Sequence, residues 1–112
     1  PHRGLAWHRD RGWLAGANDR VRIYDDEHGE LLAELGSRSS STYAVAFHPD
    51  GKRLATGGAD GEIILWETDR WTPVLSLRGH ELYVRALEFS PDGHILASAS
   101  GDRSVRLWDS RT

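Results

Sequence analysis

Apolar residues in this chain fall into short segments that alternate with turn sequences. Residues 43–47 (Tyr-Ala-Val-Ala-Phe) and residues 84–89 (Val-Arg-Ala-Leu-Glu-Phe) are each followed by a Pro-Asp-Gly sequence, at residues 49–51 and 91–93. Proline presets φ and glycine supplies a positive φ in such turns, so each segment predicts a strand that ends in a hairpin. Eleven such strands are predicted, with turns every 8–12 residues or so, and no stretch has sustained helical periodicity. The pattern predicts an all-β protein.

The same pattern recurs along the chain. Residues 47–66 (FHPDGKRLATGGADGEIILW) and residues 89–108 (FSPDGHILASASGDRSVRLW) align without gaps, and residues 7–24 (WHRDRGWLAGANDRVRIY) follow them with two residues fewer. The three segments close on aromatic residues 42 positions apart, at Tyr24, Trp66 and Trp108. A period of about 40–45 residues is typical of β-propeller blades.

Dipeptides at fixed places in these units resemble those of the WD-repeat family. Gly79-His80 matches the Gly-His pair of that family, and Trp108-Asp109 matches its Trp-Asp pair. The earlier units close on the similar pairs Trp66-Glu67 and Tyr24-Asp25. The resemblance covers essentially the whole chain, and it implies propeller blades that are four-stranded antiparallel sheets.

We expect one propeller segment made of three repeats, at residues 1–36, 37–78 and 79–112. The third repeat stops before its fourth strand, and three blades do not close a ring, since propellers typically have about four to eight. Two interpretations remain open. Either the chain, which begins on Pro1 without an initiator Met, is an excised segment of a longer propeller protein, or copies associate to complete a ring of six or nine blades.

The resemblance also implies a hydrogen-bonded chain of side chains inside each blade. Carried over to repeat three, it consists of His80, Ser98, Asp102 and Trp108. The indole N–H donates to the hydroxyl, the hydroxyl donates to a neutral histidine, and the histidine passes a bond to the carboxylate. Each polar atom then has a partner, and a buried polar atom without one costs about 1–3 kcal/mol.

Repeat two keeps Thr56, Asp60 and Trp66 but has no histidine at the matching place, so its network is expected to be incomplete or rebuilt with serine and water. The combination of Ser98, histidine and aspartate in repeat three also resembles a catalytic triad. We weigh this against the structural interpretation and prefer the latter, because no nucleophile elbow or oxyanion-forming loop is visible in the sequence.

WD repeats usually bind partners on the face near the Gly-His loop. The resemblance places Tyr43, Tyr83, Arg85 and Arg3 there, at the start of the first strand of each unit. Tyrosine and arginine are enriched at binding hot spots. The guanidinium groups of the two arginines would bind an acidic or phosphorylated segment of the partner.

Composition narrows the remaining classes of function. The formal net charge is −3, and basic and acidic residues alternate, which disfavours a nucleic-acid partner. No apolar run of about 18 residues predicts a membrane span. There is no Cys, and no pair of His residues has metal-ligand spacing, so neither a metal nor another cofactor is expected. We expect His8 in a loop-like position and His48 in a turn.

These observations favour a non-catalytic, cytoplasmic scaffold for protein–protein interaction, and not an enzyme. Its partner is expected to be a protein or peptide, in addition to further blades from the same longer chain or from other copies. Two alternatives stay open. The chain is a sensor or regulatory segment of a larger signalling enzyme, or it is a structural element that self-associates to complete a propeller ring.

Overall fold

The computed structural model describes residues 4–8, 10–17, 20–35 and 41–110, and every regular element within them is a β-strand. The eleven strands are β1 Leu5–His8, β2 Trp13–Ala17, β3 Val21–Asp25, β4 Leu31–Leu35, β5 Thr42–Phe47, β6 Arg53–Gly58, β7 Ile63–Glu67, β8 Thr72–Leu77, β9 Val84–Phe89, β10 Ile95–Ser100 and β11 Val105–Asp109. The all-β class predicted from the sequence is confirmed.

The strands form three antiparallel sheets in which each strand pairs with its neighbours along the chain. The sheets are β1–β4, β5–β8 and β9–β11, called blade one, blade two and blade three below. Among the described residues blade three has three strands, whereas the other two blades have four. This is the expected propeller-blade architecture. The repeat boundaries at residues 1–36, 37–78 and 79–112 stay a prediction.

The first hairpin has the same geometry in blades two and three. Gly51 has a φ of 74° and Gly93 a φ of 77°, in the left-handed region that favours glycine. The N–H of Gly51 donates to the carbonyl of His48 at 2.8 Å, and the N–H of Gly93 donates to the carbonyl of Ser90 at 2.8 Å. The repeated Pro-Asp-Gly sequence therefore fixes the same turn at the same place in both blades.

The blades bury their apolar residues against one another. The joint between blades one and two buries one cluster: Ala15, Ala17, Val21, Ile23, Leu35, Val45, Phe47, Leu54 and Trp66. The joint between blades two and three buries a second: Ala44, Ala46, Ala55, Ile63, Leu65, Val84, Phe89 and Leu96. In each joint, one face of a blade packs against the opposite face of the next blade. Equivalent positions of the repeat are therefore buried in equivalent places.

Aromatic rings close one end of the joint between blades one and two. The ring of Trp71 lies edge-on to that of Trp13, with centroids 5.0 Å apart, and Trp13 also contacts Phe47 at 5.9 Å. The guanidinium of Arg11 lies over Trp13, 5.1 Å from the ring centroid. Trp71 therefore packs across the joint, and it does so from a backbone with a φ of 56°.

Leu65 and Leu107 allow a matched test of joint packing, because they occupy equivalent positions in blades two and three. Leu65 is 1% exposed in the joint, and Leu107 is 69% exposed. We expect Leu65→Ala to lower the free energy of unfolding by about 2–5 kcal/mol through a cavity. At concentrations where the chain is monomeric, Leu107→Ala should change it by about 0.5 kcal/mol or less. Urea denaturation measures both, and equal losses would contradict this account of the joint.

Candidate functional site

The four side chains predicted to interact in repeat three lie together inside blade three. The indole N–H of Trp108 donates to the hydroxyl oxygen of Ser98 at 2.9 Å. The same oxygen lies 2.7 Å from Nε2 of His80. Since the hydroxyl already accepts the indole proton, it donates to His80, whose own proton then sits on Nδ1. Ser98 and His80 are 1% and 7% exposed, so the bonds form away from water.

Asp102 completes this chain of bonds with the help of a serine that sequence reasoning missed. Nδ1 of His80 lies 3.1 Å from the hydroxyl of Ser104 and 3.4 Å from Oδ2 of Asp102. The Ser104 hydroxyl in turn donates to Asp102 Oδ1. The backbone N–H groups of Glu81 and Ser104 also donate to the carboxylate, at 3.0 and 2.8 Å. Asp102 thus ties the loop around Glu81 to the last hairpin of blade three.

These donors stabilise the ionised form of Asp102. They hold the pKa of its carboxyl well below its ordinary value of 3.8, and the hydrogen bond from the Ser104 side chain contributes most, followed by the Glu81 N–H. The spacing of Ser104 from Asp102, two residues further along the same hairpin, is the sequence signal that would have identified it.

Blade two contains a reduced version of the network. The indole N–H of Trp66 donates to the hydroxyl of Thr56 at 2.9 Å. The Oδ1 of Asp60 accepts the N–H of Glu62 at 3.0 Å. The counterpart of His80 falls at position 38, outside the described residues. Thr56, Asp60 and Trp66 line a common cavity of about 10 Å³, which is roughly the space that one water molecule requires.

The Ser98, His80 and Asp102 arrangement has the connectivity of a catalytic triad but not its accessibility. A nucleophilic serine must present its hydroxyl to a substrate. The Ser98 side chain is 1% exposed, and its oxygen already accepts the indole N–H of Trp108. The bonds therefore fix the hairpins of blade three to one another.

Two histidines connect neighbouring blades, which sequence reasoning did not foresee. Nε2 of His8 lies 2.9 Å from the carbonyl of Pro49 in the next blade, and Nε2 of His48 lies 2.9 Å from the carbonyl of Gly93. The loop-like position expected for His8 is wrong, since this residue ends β1 and is 8% exposed. The missed signal is the repeated aromatic–histidine pair at the end of the first strand. In blade three Ser90 takes the corresponding place, and its hydroxyl donates to Asp92 of its own turn.

Of the residues expected to bind a partner, Tyr43 and Tyr83 lie together across the joint between blades two and three. Their rings meet edge to face, with centroids 5.6 Å apart. Tyr83 is 40% exposed, and the neighbouring Leu82 is 51% exposed. A Cβ at Gly101 would lie 2.4 Å from the Tyr83 ring, so glycine at this position lets the ring lie against the backbone. We call Tyr43, Leu82 and Tyr83 the tyrosine surface.

Tyr43 and Arg85 occupy equivalent bulges in β5 and β9, the first strands of blades two and three. In β5 the pairing passes from Thr42 to Ala44 and skips Tyr43, and in β9 it skips Arg85 in the same way. A bulge bends the strand and redirects the side chain of the extra residue. Arg85 is exposed. Arg3, the fourth expected binding residue, lies outside the described residues.

Acidic and histidine side chains do not gather into a metal centre within the described ranges. No group of three or more His, Asp or Glu side chains is placed there to hold a metal ion. No helix long and apolar enough to span a membrane occurs in the part of the chain that the structure describes.

Comparison with known proteins places this geometry in a family. The model of the WD domain, G-beta repeat, matches residues 29–67 and 71–109, which together exceed half of the chain. The chain is 42% identical over 53 residues to the intraflagellar transport protein 122 homolog of Danio rerio, covering 47% of this chain and 4% of that protein. It is 31% identical over 105 residues to a component of chromatin assembly factor 1 from Mus musculus, covering 69% of this chain and 18% of that protein.

A third relative is the WD repeat-containing protein VIP3 of Arabidopsis thaliana, 32% identical over 83 residues, with 62% of this chain and 26% of that protein covered. The chain therefore spans about a quarter or less of the length of these three relatives.

Removal of the Ser98 hydroxyl tests the network in blade three. Ser98→Ala leaves both His80 Nε2 and the Trp108 indole N–H without their partner, and we expect a loss of about 1–3 kcal/mol in the free energy of unfolding. Thr56→Val in blade two removes a hydroxyl that accepts only the indole N–H of Trp66 among the bonds described above. Its loss of unfolding free energy should therefore be smaller. Chemical denaturation of the two variants measures the difference, and an unchanged stability in Ser98→Ala would contradict the network.

The carboxylate of Asp102 predicts a pH dependence. Because its pKa is lower in the folded chain than in the unfolded one, its charge stabilises the fold above the unfolded pKa, and this contribution is lost as pH falls towards the folded pKa. Asp102→Asn keeps an acceptor oxygen but not the charge. We expect the difference in unfolding free energy between wild type and Asp102→Asn to be largest near neutral pH and to shrink below about pH 4. A difference that urea denaturation finds constant with pH would show that the charge is irrelevant.

Proposed function

This chain belongs to the WD-repeat family, and from that premise we propose that it is a non-catalytic scaffold that binds a protein or peptide partner. The observation that carries the proposal is the tyrosine surface, where two tyrosines from adjacent blades meet beside the exposed Leu82. Aromatic side chains offer a large contact area with few rotatable bonds, and they are enriched at binding hot spots.

The position of Arg85 supports an acidic feature in the partner. Its side chain is exposed and belongs to the bulge in β9, two residues after Tyr83. Arginine binds carboxylate and phosphate groups through two parallel hydrogen bonds, which adds geometric specificity. We therefore propose a partner segment that places an apolar or aromatic residue on the tyrosine surface and an acidic or phosphorylated residue on Arg85, with Arg3 as a second candidate contact.

A non-enzymatic role is part of this proposal. It is supported by the burial of Ser98, whose hydroxyl is committed to Trp108 and His80. Two of the relatives are named for intraflagellar transport and for chromatin assembly, and neither name denotes a chemical reaction. A cytoplasmic location also belongs to the proposal, and the absence of Cys is compatible with it.

Because the chain spans only a small part of its relatives, a regulatory segment of a larger enzyme is the second candidate function. That candidate makes the same use of the tyrosine surface but predicts a catalytic domain elsewhere in the same polypeptide. The complete coding sequence distinguishes the two.

A peptide array tests the partner chemistry. We expect the chain to bind peptides that combine an aromatic residue with acidic or phosphorylated residues. Arg85→Glu should weaken this binding by roughly tenfold, since the charge is reversed at an exposed contact. Arg70→Glu, at an exposed position in the turn after β7, is the matched control and should bind like wild type. Equal binding by both variants, with unchanged melting temperatures, would contradict the proposed site.

A further inference from the structure

The turn between β6 and β7 of blade two lies against the backbone of blade three. A Cβ at Gly61 would lie 2.6 Å from the carbonyl oxygen of His80 and 2.8 Å from that of Leu82. Even weak C–H···O contacts keep carbon and oxygen about 3.3–3.6 Å apart. Gly61 is buried, so only a hydrogen atom fits between this turn and the loop that follows β8. We call residues 79–83, which include Leu82 and Tyr83, the tyrosine loop.

Space, rather than backbone conformation alone, accounts for the glycine in this turn. Gly61 has a φ of 85°, but its counterpart 42 residues later is Arg103, which has a φ of 72°. The same turn therefore accommodates a side chain in blade three. What distinguishes blade two is the pair of carbonyl oxygens that the adjacent tyrosine loop directs at the turn.

Bonds within blade two fix the turn itself. The N–H of Gly61 donates to the carbonyl of Gly58 at 3.2 Å, and the N–H of Gly58 donates to the carbonyl of Glu62 at 3.2 Å. The Oδ1 of Asp60 accepts the N–H of Glu62 at 3.0 Å. A Cβ at Gly61 would therefore either displace the tyrosine loop or break these bonds.

Blade three holds the tyrosine loop from the other side. The carboxylate of Asp102 accepts the N–H of Glu81 at 3.0 Å. The hydroxyl of Ser100 lies 3.0 Å from the carbonyl oxygen of Leu82, and the same oxygen faces the turn of blade two. Displacement of this carbonyl would turn the peptide unit that leads into Tyr83.

We propose that Gly61 is a positioning residue for the tyrosine surface, and this role rests on the partner binding proposed above. Tyr43 belongs to the same blade as Gly61, whereas Tyr83 belongs to the tyrosine loop of the next blade. Their rings meet at 81° with centroids 5.6 Å apart, so the surface is assembled from two blades. Gly61 sets how closely the tyrosine loop approaches blade two, and because it is buried it does so without contacting the partner.

The affinity of a labelled peptide tests this role. The probe is the tightest-binding peptide of the array described above, and fluorescence anisotropy measures its dissociation constant at a temperature where circular dichroism shows each variant folded. We expect Gly61→Ala to weaken binding by roughly tenfold. Gly29→Ala is the matched control, because Gly29 has a φ of 69° and a Cβ there would meet no atom of the described residues within 4 Å. It adds similar backbone strain and should bind like wild type. Gly61→Asn keeps the added Cβ in a residue type that tolerates a positive φ, and it replaces Gly61→Ala if that variant does not fold.

Aromatic ¹H–¹³C spectra of the tyrosines supply a second measurement that needs no partner. Since each ring lies in the field of the other, Gly61→Ala should shift the signals of Tyr43 and Tyr83, and Gly29→Ala should not. Unchanged signals, or a folded Gly61→Ala chain that binds the peptide as tightly as wild type, would overturn the proposal. A wild-type chain that binds no peptide of the array would overturn the proposed function instead, and the spectra would then decide by themselves whether Gly61 positions the rings.

Discussion

Packing of one sheet against the next is the interaction on which the rest of this structure depends. A small antiparallel sheet has two faces, and in blade two both are apolar and both are covered, by Ile23 of blade one and by Phe89 of blade three among others. The tyrosine surface exists only because this packing brings Tyr43 of one blade beside Tyr83 of the next. The proposed binding surface and the stability of the fold therefore depend on the same joint.

Within a blade, side-chain hydrogen bonds fix the position of one hairpin relative to another, because they are directional and apolar packing is not. In blade three, Ser98 links Trp108 to His80, and Asp102 links the hairpin to the loop that carries Tyr83. The loop that carries Leu82 and Tyr83 is thus tied through Asp102 to the buried bonds of Ser98 and His80. In blade two the indole N–H of Trp66 donates to Thr56, and no histidine among the described residues continues that chain of bonds. The two blades consequently hold similar strands by different means.

The sequence predicted most of the fold because strands, turns and a constant period are properties of local pattern. It could not predict the bonds of His8 and His48 to the following blades, because the partners lie more than forty residues away and meet only when the sheets pack. Nor could it separate Leu65 from Leu107, which have similar neighbours in sequence but opposite exposure. The position of Arg85 followed from alignment, but its bulge depends on strand pairing.

Ser90 stands where blades one and two have a histidine, and this difference affects how firmly a further blade would be held against blade three. His8 and His48 each reach across a joint to a backbone carbonyl, whereas Ser90 bonds to Asp92 in its own turn and is too short to make that reach. A joint on the side of blade three that faces away from blade two would lack this histidine-to-carbonyl bond. For equal apolar contact, the missing hydrogen bond makes such a joint quicker to open than either internal joint.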